Sequence, residues 1–262
     1  MACNGIKAWV ENAVIIENKK LAEGYYIMKV KSPKIAEVAV AGQFSMLQPK
    51  NEIRILRRPI SIHSVDKTLG EMEYYYEVLG GGTKEFATLT EGDIINIQGP
   101  LGKGFDLNVE GKKVVAVGGG LGIAPLKELL VNLKDKNEVL HIAGGRNEKH
   151  LSILSSFSSD IKTLVATDDG SLGHKGNTVE VLREYLKENK IDIIYTCGPH
   201  VMMEAVARVA KEFGIRCQVS LEERMACGVK ACMGCSIPTT KGMQKVCYDG
   251  PVFEAEEVID VE

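Results

Sequence analysis

The chain has 262 residues, enough for two compact domains and a small appendage, and its 45% hydrophobic and 26% charged residues exclude a disordered or fibrous polymer. A formal net charge of -3 excludes the basic surplus that nucleic acid asks for. The longest uncharged stretch, residues 114–126, is short and interrupted by Gly118, Gly119, Gly120 and Gly122, which excludes it as a membrane span. The opening MACNGIKAWVENAV has a charge inside its apolar segment and no signal-peptide core, so a cytoplasmic location is expected.

In chain order, residues 13–107 come first as short alternating runs: AVIIENKK, GYYIMKVKS, QFSMLQP, RPISIHSV, EMEYYYEVL and DIINIQG, broken by Gly, Pro and Asp/Lys clusters. Their two-residue period predicts antiparallel strands closing into a β-barrel. One of these strands carries Arg57, Arg58, Pro59, Ile60 and Ser61, and GGGTKEF follows another. An arginine beside a hydroxyl, facing a Gly-Gly-Thr turn, can grip a phosphate between a guanidinium and backbone amides. A solvated arginine pair and a hairpin turn fit the same residues.

After Gly111 the rhythm changes. Apolar strands KKVVAVG, EVLHIAG, KTLVATD, DIIYTCG and IRCQVS alternate with helical patterns PLKELLVNLKD, KHLSILSSF, TVEVLREYLKEN and VMMEAVARVAKEF, which predicts an α/β domain with a parallel sheet and helices on both faces. The run GGGLGIAPL lies between the first of these strands and its helix, where a backbone turn can meet a pyrophosphate. It is not a full G-x-G-x-x-G fingerprint, since Ile123 occupies the last position, and a glycine-rich turn can be only a tight turn. Two more segments, TDDGSLGHKG and TCGPH, also follow strands, so all three fall on the carboxyl edge of the sheet, where ligands bind. HIAGGRNEKH offers Arg146 for a 2′-phosphate and Glu148 for a ribose hydroxyl, and leaves NAD against NADP open.

From about Leu221 periodicity gives way to cysteine and glycine. Four of the seven cysteines crowd together as Cys227-x4-Cys232-x2-Cys235, with Cys247 after eleven more residues. In a reducing compartment such crowding reads as metal binding, and this spacing is the plant-type arrangement for a [2Fe-2S] cluster. A four-thiolate cluster needs backbone N–H groups near its sulfurs, and Gly228 and Gly234 allow that approach. Zinc is the competing reading, because it too is bound by four thiolates. Cys3 and Cys217 read as plain thiols, the second packed in a strand.

The ordered set RRPISI, GGGT, GPLGKGF, GGGLGIAPL, TDDGSLGHKG, CGPHVM and SLEERMACGVKACMGC…VCYDGPVF resembles the ferredoxin-reductase superfamily. Within it, the set resembles the electron-transfer subunits of type B dihydroorotate dehydrogenase. The resemblance spans nearly the whole chain, and its cysteine tail is the discriminating part. It implies a ferredoxin-reductase-like fold: an antiparallel FAD-binding barrel over residues 1–110, an NAD-binding α/β domain over 111–220 and a [2Fe-2S] module over 221–262. By the same resemblance Arg58, Pro59, Ile60 and Ser61 would hold FAD, with Arg58 on its phosphate and Ser61 by the flavin ring. Tyr75, Tyr76 and Glu77 would line the flavin, with only one of the two tyrosines able to face it, and Gly82 and Thr83 would hold the pyrophosphate. Gly119, Gly120 and Gly122 would meet NAD(H), the substrate nucleotide. Cys197 would lie near the nicotinamide, either with a catalytic role or as an inert buried thiol. Cys227, Cys232, Cys235 and Cys247 would ligate the cluster.

The implied partner is an FMN-containing catalytic subunit that oxidises dihydroorotate to orotate in pyrimidine biosynthesis, in a heterotetramer of two plus two, with no nucleic acid or membrane involved. A subunit of a ferredoxin-dependent transhydrogenase or sulfide dehydrogenase is the nearest rival. All-cysteine ligation and the SLEERMACG context favour the pyrimidine enzyme. A zinc-stapled nucleotide-binding regulator is the rival of another class.

Overall fold

The computed structural model describes residues 8–50 and 55–259; Cys3 lies outside them. Six strands, β1 (Trp9–Ala22), β2 (Tyr25–Lys31), β3 (Phe44–Gln48), β4 (Arg58–Asp66), β5 (Glu71–Glu77) and β6 (Ile94–Leu101), close a barrel in the order β1-β2-β5-β4-β3-β6. Every neighbouring pair is antiparallel, as the two-residue period predicts. Alternation sends Ile15, Met28, Leu47, Ile62, Tyr74 and Ile97 into the barrel core.

Two short helices interrupt the strands where the alternating pattern announces none. In α1 (Pro33–Val38), proline opens the first turn, and the Glu11 carboxylate accepts from the Ser32 hydroxyl at 2.7 Å and the Ile35 amide at 3.0 Å. Ile35 and Ala36 plug the barrel. Six residues are too few to show a helical period or to stand alone, so tertiary contacts hold this helix. The second, α2 (Gly81–Phe86), is built on the Gly-Gly-Thr turn.

Beyond the barrel, β7 (Lys113–Gly119), β8 (Glu138–Gly145), β9 (Lys162–Thr167), β10 (His174–Lys175), β11 (Ile193–Cys197) and β12 (Arg216–Ser220) form a parallel sheet ordered β10-β9-β8-β7-β11-β12. The helices α3 (Leu126–Leu133), α4 (Thr178–Glu188) and α5 (His200–Glu212) lie along it. The chain enters at β7 and steps outward to β10. It then returns to pair β11 on the other side of β7. That reversal is a topological switch point, and a crevice opens above it.

Residues 149–157, expected as a helix, fall instead on a 3-10 segment, Glu148–Ser156. The Ser155 hydroxyl donates to the Ser152 carbonyl three residues back, a local bond that competes with the α-helical ladder. The tail also departs from its featureless pattern. A hairpin of β13 (Ser236–Thr239) and β14 (Gly242–Lys245) precedes β15 (Val252–Glu254), which returns to pair antiparallel with β12 and is followed by α6 (Ala255–Val258). Three residues are too short a run to reveal a strand by periodicity, and the return makes the sheet mixed at one edge. Among the described residues no helix is long and apolar enough to cross a membrane.

Two fully buried histidines make this fold acid-sensitive. Burial pushes His63 down to about 4 and His141 down to about 3 from the usual 6.5. Both are neutral when folded and take up protons on unfolding. Their stabilisation is therefore complete above the ordinary histidine value and is lost as pH falls from there toward the folded values. The thermal midpoint should drop between about pH 7.5 and pH 5, and more shallowly in His141→Leu, because protonation linkage at one site is removed. Equal slopes in the two proteins would contradict this.

Candidate functional site

Strands β4 and β5 are laddered from Ile62 opposite Tyr74 to Asp66 opposite Glu71. Beyond that they part. Arg58, Pro59, Ile60 and Ser61 stay paired to β3, and Tyr75, Tyr76 and Glu77 stay paired to β2, but no ladder joins the two sets. The strand residues expected at the flavin therefore border one splay, whose facing backbone edges are left to bond a ligand. Tyr76 turns into the barrel, stacks on Tyr26 at 5.7 Å and donates its hydroxyl to Asn18 at 3.0 Å. Tyr75 turns the other way, stacks on Tyr25 at 6.0 Å and places its hydroxyl 3.5 Å from that of Ser152. Both rings are buried, so what Tyr76 offers the splay is its backbone.

The two arginines divide. Arg57 reaches the carbonyls of Met46 and Asn96, each at 3.2 Å, and is consumed in holding the barrel. Arg57 and Arg58 both line a cleft of about 490 Å³ with Pro59, Glu222 and Glu223, and it is Arg58 that faces the Gly-Gly-Thr turn. Its Nε lies 2.7 Å from where a Cβ on Gly82 would stand, so the guanidinium and the Gly-Gly-Thr turn are in contact. The Thr83 hydroxyl accepts from the amides of Leu79 at 3.0 Å and Gly80 at 3.2 Å and fixes that turn. The amides of the first helical turn have no intrahelical acceptor, which leaves them to an anion beside Arg58.

A larger cleft, about 1360 Å³, opens above the switch point. Gly119, Gly120 and Gly122 line it with Gly198 and Pro199 after β11, Asp168 and Arg146 after β9 and β8, and Glu77 from the barrel. The glycines have separate reasons. A Cβ on Gly122 would lie 2.4 Å from the Cys197 carbonyl, so the two turns meet backbone to backbone. Gly120 has φ +55 and nothing within 4 Å of the added atom, so its side-chain direction is open space. Cys197 is behind the cleft wall, 2% exposed, in the apolar core with Tyr195. Burial pushes its thiol far up, so it stays protonated. Arg146 is on the cleft wall, whereas Glu148 is exposed outside the cleft-lining set.

The cysteine loop presents its sulfurs in two pairs. Cys232 N–H donates to Cys227 Sγ at 3.3 Å, and the thiols of Cys235 and Cys247 are hydrogen-bonded. Backbone amides face them as expected. Val229 N–H points at Cys227 Sγ at 3.5 Å, and amide donors led by Gly234 pull the Cys232 thiol down to about 7. Burial pushes Cys247 up to about 12, against a bond from the Lys230 amide. Lys230 holds φ +65, the one non-glycine residue in that region among those described. Four thiols on one loop, spaced as in plant-type two-iron proteins, suit a [2Fe-2S] cluster under these amide donors. Cys217, by contrast, is buried in β12 with its thiol pushed up to about 12 by burial.

One strand links the cluster loop to the splay. Met46 and Phe44 on β3 are paired with Pro59 and Ser61, and both belong to the apolar cluster that holds Cys235 and Cys247. Gly228, at φ +67, lies against Met46, 2.8 Å from its added Cβ. The sequence reading does not assign Glu222 and Glu223, which wall both clefts at once. Solvent reaches Glu222 through the cleft, yet protein surrounds its carboxyl closely enough to push it up. Its only signal was its place in the SLEER segment, directly after the last parallel strand.

A family model described as the iron–sulfur cluster binding domain of dihydroorotate dehydrogenase B matches residues 222–259. An oxidoreductase NAD-binding domain model matches residues 116–208. The chain is 40% identical over 250 residues, 93% of itself and 96% of the relative, to the dihydroorotate dehydrogenase B (NAD(+)) electron transfer subunit of Listeria innocua. It is 39% identical over 259 residues, 96% of itself and 99% of the relative, to the protein of the same name from Caldanaerobacter subterraneus subsp. tengcongensis. Among solved structures, an NADH-dependent reduced ferredoxin-NADP oxidoreductase studied for flavin-based electron bifurcation superimposes with a TM-score of 0.86 at 30% identity, over 95% of this chain and 90% of that one. A ferredoxin NADP+ reductase from Neisseria gonorrhoeae with bound FAD and NADP gives 0.65 at 19% identity, over 78% and 92%, a likeness of fold.

Proposed function

The chain belongs to the family of dihydroorotate dehydrogenase B electron transfer subunits, and on that footing we propose how its regions divide the work and which partner it serves. As a member it is an oxidoreductase subunit that passes electrons in pyrimidine biosynthesis, with FAD, a [2Fe-2S] cluster and NAD. In the division we propose, residues 1–110 hold FAD, 111–220 hold NAD(H) and 221–262 hold the cluster. The partner is an FMN-containing subunit that converts dihydroorotate to orotate, assembled as two plus two in the cytoplasm.

Bound in these places, FAD supplies hydride chemistry and the cluster one-electron chemistry. The residues do the rest. Arg58 with the turn at Gly82 and Thr83 neutralises and orients the FAD phosphates, and the open edges at Arg58–Ser61 and Tyr75–Glu77 receive the flavin. Gly119, Gly120 and Gly122 let a nicotinamide nucleotide lie close on the backbone above the switch point. Cys197, kept a neutral thiol, shapes that floor through its backbone against Gly122. Cys227, Cys232, Cys235 and Cys247 hold the cluster under amide donors.

The observation that carries the reading is β3: its one face packs on the cluster loop while its ladder borders the splay. Mixing the purified chain with the FMN-containing dihydroorotate dehydrogenase subunit should make dihydroorotate reduce NAD+, which neither protein does alone. Failure to form a complex, or no gain in NAD+ reduction, would remove that partner. The same assay run with ferredoxin in place of the partner separates the transhydrogenase-type reading.

The arginines give a sharper expectation. Arg58→Ala loses a charge-assisted contact worth about 1.5–3 kcal/mol, so FAD should bind about 10- to 150-fold more weakly. Arg57→Ala should keep its FAD and melt earlier, since its bonds lie within the barrel. Flavin content after gel filtration and a melting curve distinguish the two; the opposite assignment would count against the phosphate site.

A further inference from the structure

Two residues beyond Ser61, strand β4 bulges, and the register slips between Ile62 and Ser64. A bulge re-aims a side chain. Here the residue is His63, which leaves the barrel and crosses to the α/β domain, fully buried between the rings of Tyr75 at 6.4 Å and Phe157 at 6.0 Å. Its Nδ1 is 2.8 Å from the carbonyl of Ala124, and its Nε2 is 2.8 Å from the Ser156 hydroxyl. A carbonyl only accepts, so Nδ1 carries the proton and Nε2 accepts from Ser156.

Other polar ties cross the same interface. Lys127 pairs with Glu73 at 2.9 Å, and the Glu128 carboxylate accepts from the Val65 amide at 2.9 Å. Those bonds hold helix α3. Among the described residues His63 alone bonds the glycine turn from the barrel, at Ala124, two residues past Gly122, while its own strand carries Ser61. One imidazole thus spans from the strand expected to bear the flavin to the turn expected to bear the nicotinamide.

We propose that His63 is a positioning residue for hydride exchange, a strut that sets the separation between strand β4 and the glycine turn. The inference rests on the assignment of FAD to the splay and NAD(H) to the larger cleft. The step it serves breaks the C–H bond of the reduced nicotinamide and moves the hydride with its electron pair to the flavin, oxidising NADH to NAD+ and reducing the flavin by two electrons. Such a step is productive only when the reacting atoms are held about 3–3.5 Å apart, and a shift of about 1 Å can cost about 100-fold.

The experiment compares wild type with His63→Ala, His63→Asn and His63→Gln, all loaded with FAD. An asparagine amide reproduces the Nδ1 donor to Ala124, and a glutamine amide does not. In His63→Ala we expect FAD content to hold and NADH affinity to change less than about threefold, while the anaerobic rate of flavin reduction falls about 10- to 100-fold. The long-wavelength charge-transfer absorbance of the nicotinamide–flavin pair should fade, and a deuterium isotope effect from labelled NADH should rise. Amide exchange at residues 119–124 in the cofactor-free protein should quicken. His63→Asn should recover most of the rate and of the charge-transfer band, and His63→Gln should not. Wild-type rate and charge-transfer absorbance in His63→Ala would overturn the proposal, as would equal behaviour of the asparagine and glutamine variants if the alanine variant fails to fold. A wild-type protein with no charge-transfer band and no flavin reduction by NADH would instead overturn the cofactor assignment beneath it.

Discussion

Replacing Cys232 with serine should split two activities that the native chain joins. NADH should still reduce an artificial dye through FAD at close to the native rate, because the splay and Arg58 are outside the cysteine loop, and from between Cys235 and Cys247 only Ile237 and Pro238 reach the larger cleft. NAD+-linked oxidation of dihydroorotate with the partner subunit should fall to background. The physical reason is local. Cys232 donates its amide to Cys227 Sγ, and its own sulfur is surrounded by amide donors that favour a thiolate. A serine hydroxyl ionises far less readily and is a harder ligand, so the pair loses the donor that a thiolate-bound iron requires. The check is paired assays on one preparation, with iron content measured beside them. Coupled activity retained alongside loss of iron would show that electrons reach the partner by another route.

Gly122→Ala is the second large effect. The added carbon would stand 2.4 Å from both the carbonyl carbon and oxygen of Cys197 and 2.5 Å from the α-carbon of Gly198. None of these is the end of a flexible side chain, so the glycine turn and the turn after β11 must separate. Overpacking of this kind costs about 1–3 kcal/mol. Because those two turns flank the switch point, the same displacement widens the floor of the nucleotide cleft, and NADH affinity should fall about 10-fold or more, equivalent to about 1.4 kcal/mol. FAD content should stay native. Gly120→Ala is the control: its Cβ meets nothing, and only its φ of +55 is strained, for about 1–2 kcal/mol. Titration of both variants with NADH, with flavin counted separately, tests the contrast. Equal loss of affinity in the two would mean that the backbone contact at Cys197 does not set the floor.

The sequence legibly carries what is periodic or closely spaced. Alternation in EMEYYYEVL and RPISIHSV announces barrel strands, the apolar runs ending at Gly118 and Cys197 announce a parallel sheet, and the thiols from Cys227 to Cys247 announce a two-iron site. What it carries poorly is pairing at long range. Periodicity says that successive tyrosines face opposite ways, yet only the strand order tells that Tyr76 enters the barrel and Tyr75 meets the α/β domain. Nothing local marks where β4 and β5 part, because the splay is a missing ladder between residues some fifteen positions apart. His63 reads as one more strand residue until the bulge and its bond to Ala124 are seen. The return of β15 to β12 and the twofold exposure of Glu222 and Glu223 to both clefts are likewise products of assembly.

The central claim is that a single chain carries electrons between a nicotinamide and an iron–sulfur centre by way of a flavin at the splay. Anaerobic stopped-flow mixing of the purified chain with NADH, in the absence of any partner, tests it most directly. Flavin absorbance should bleach first, the broad two-iron absorbance should bleach afterwards, and a frozen sample should give the electron paramagnetic resonance signal of a reduced [2Fe-2S] cluster. A flavin that bleaches beside a cluster that stays oxidised, or a colourless protein whose cysteines hold zinc, would contradict the account.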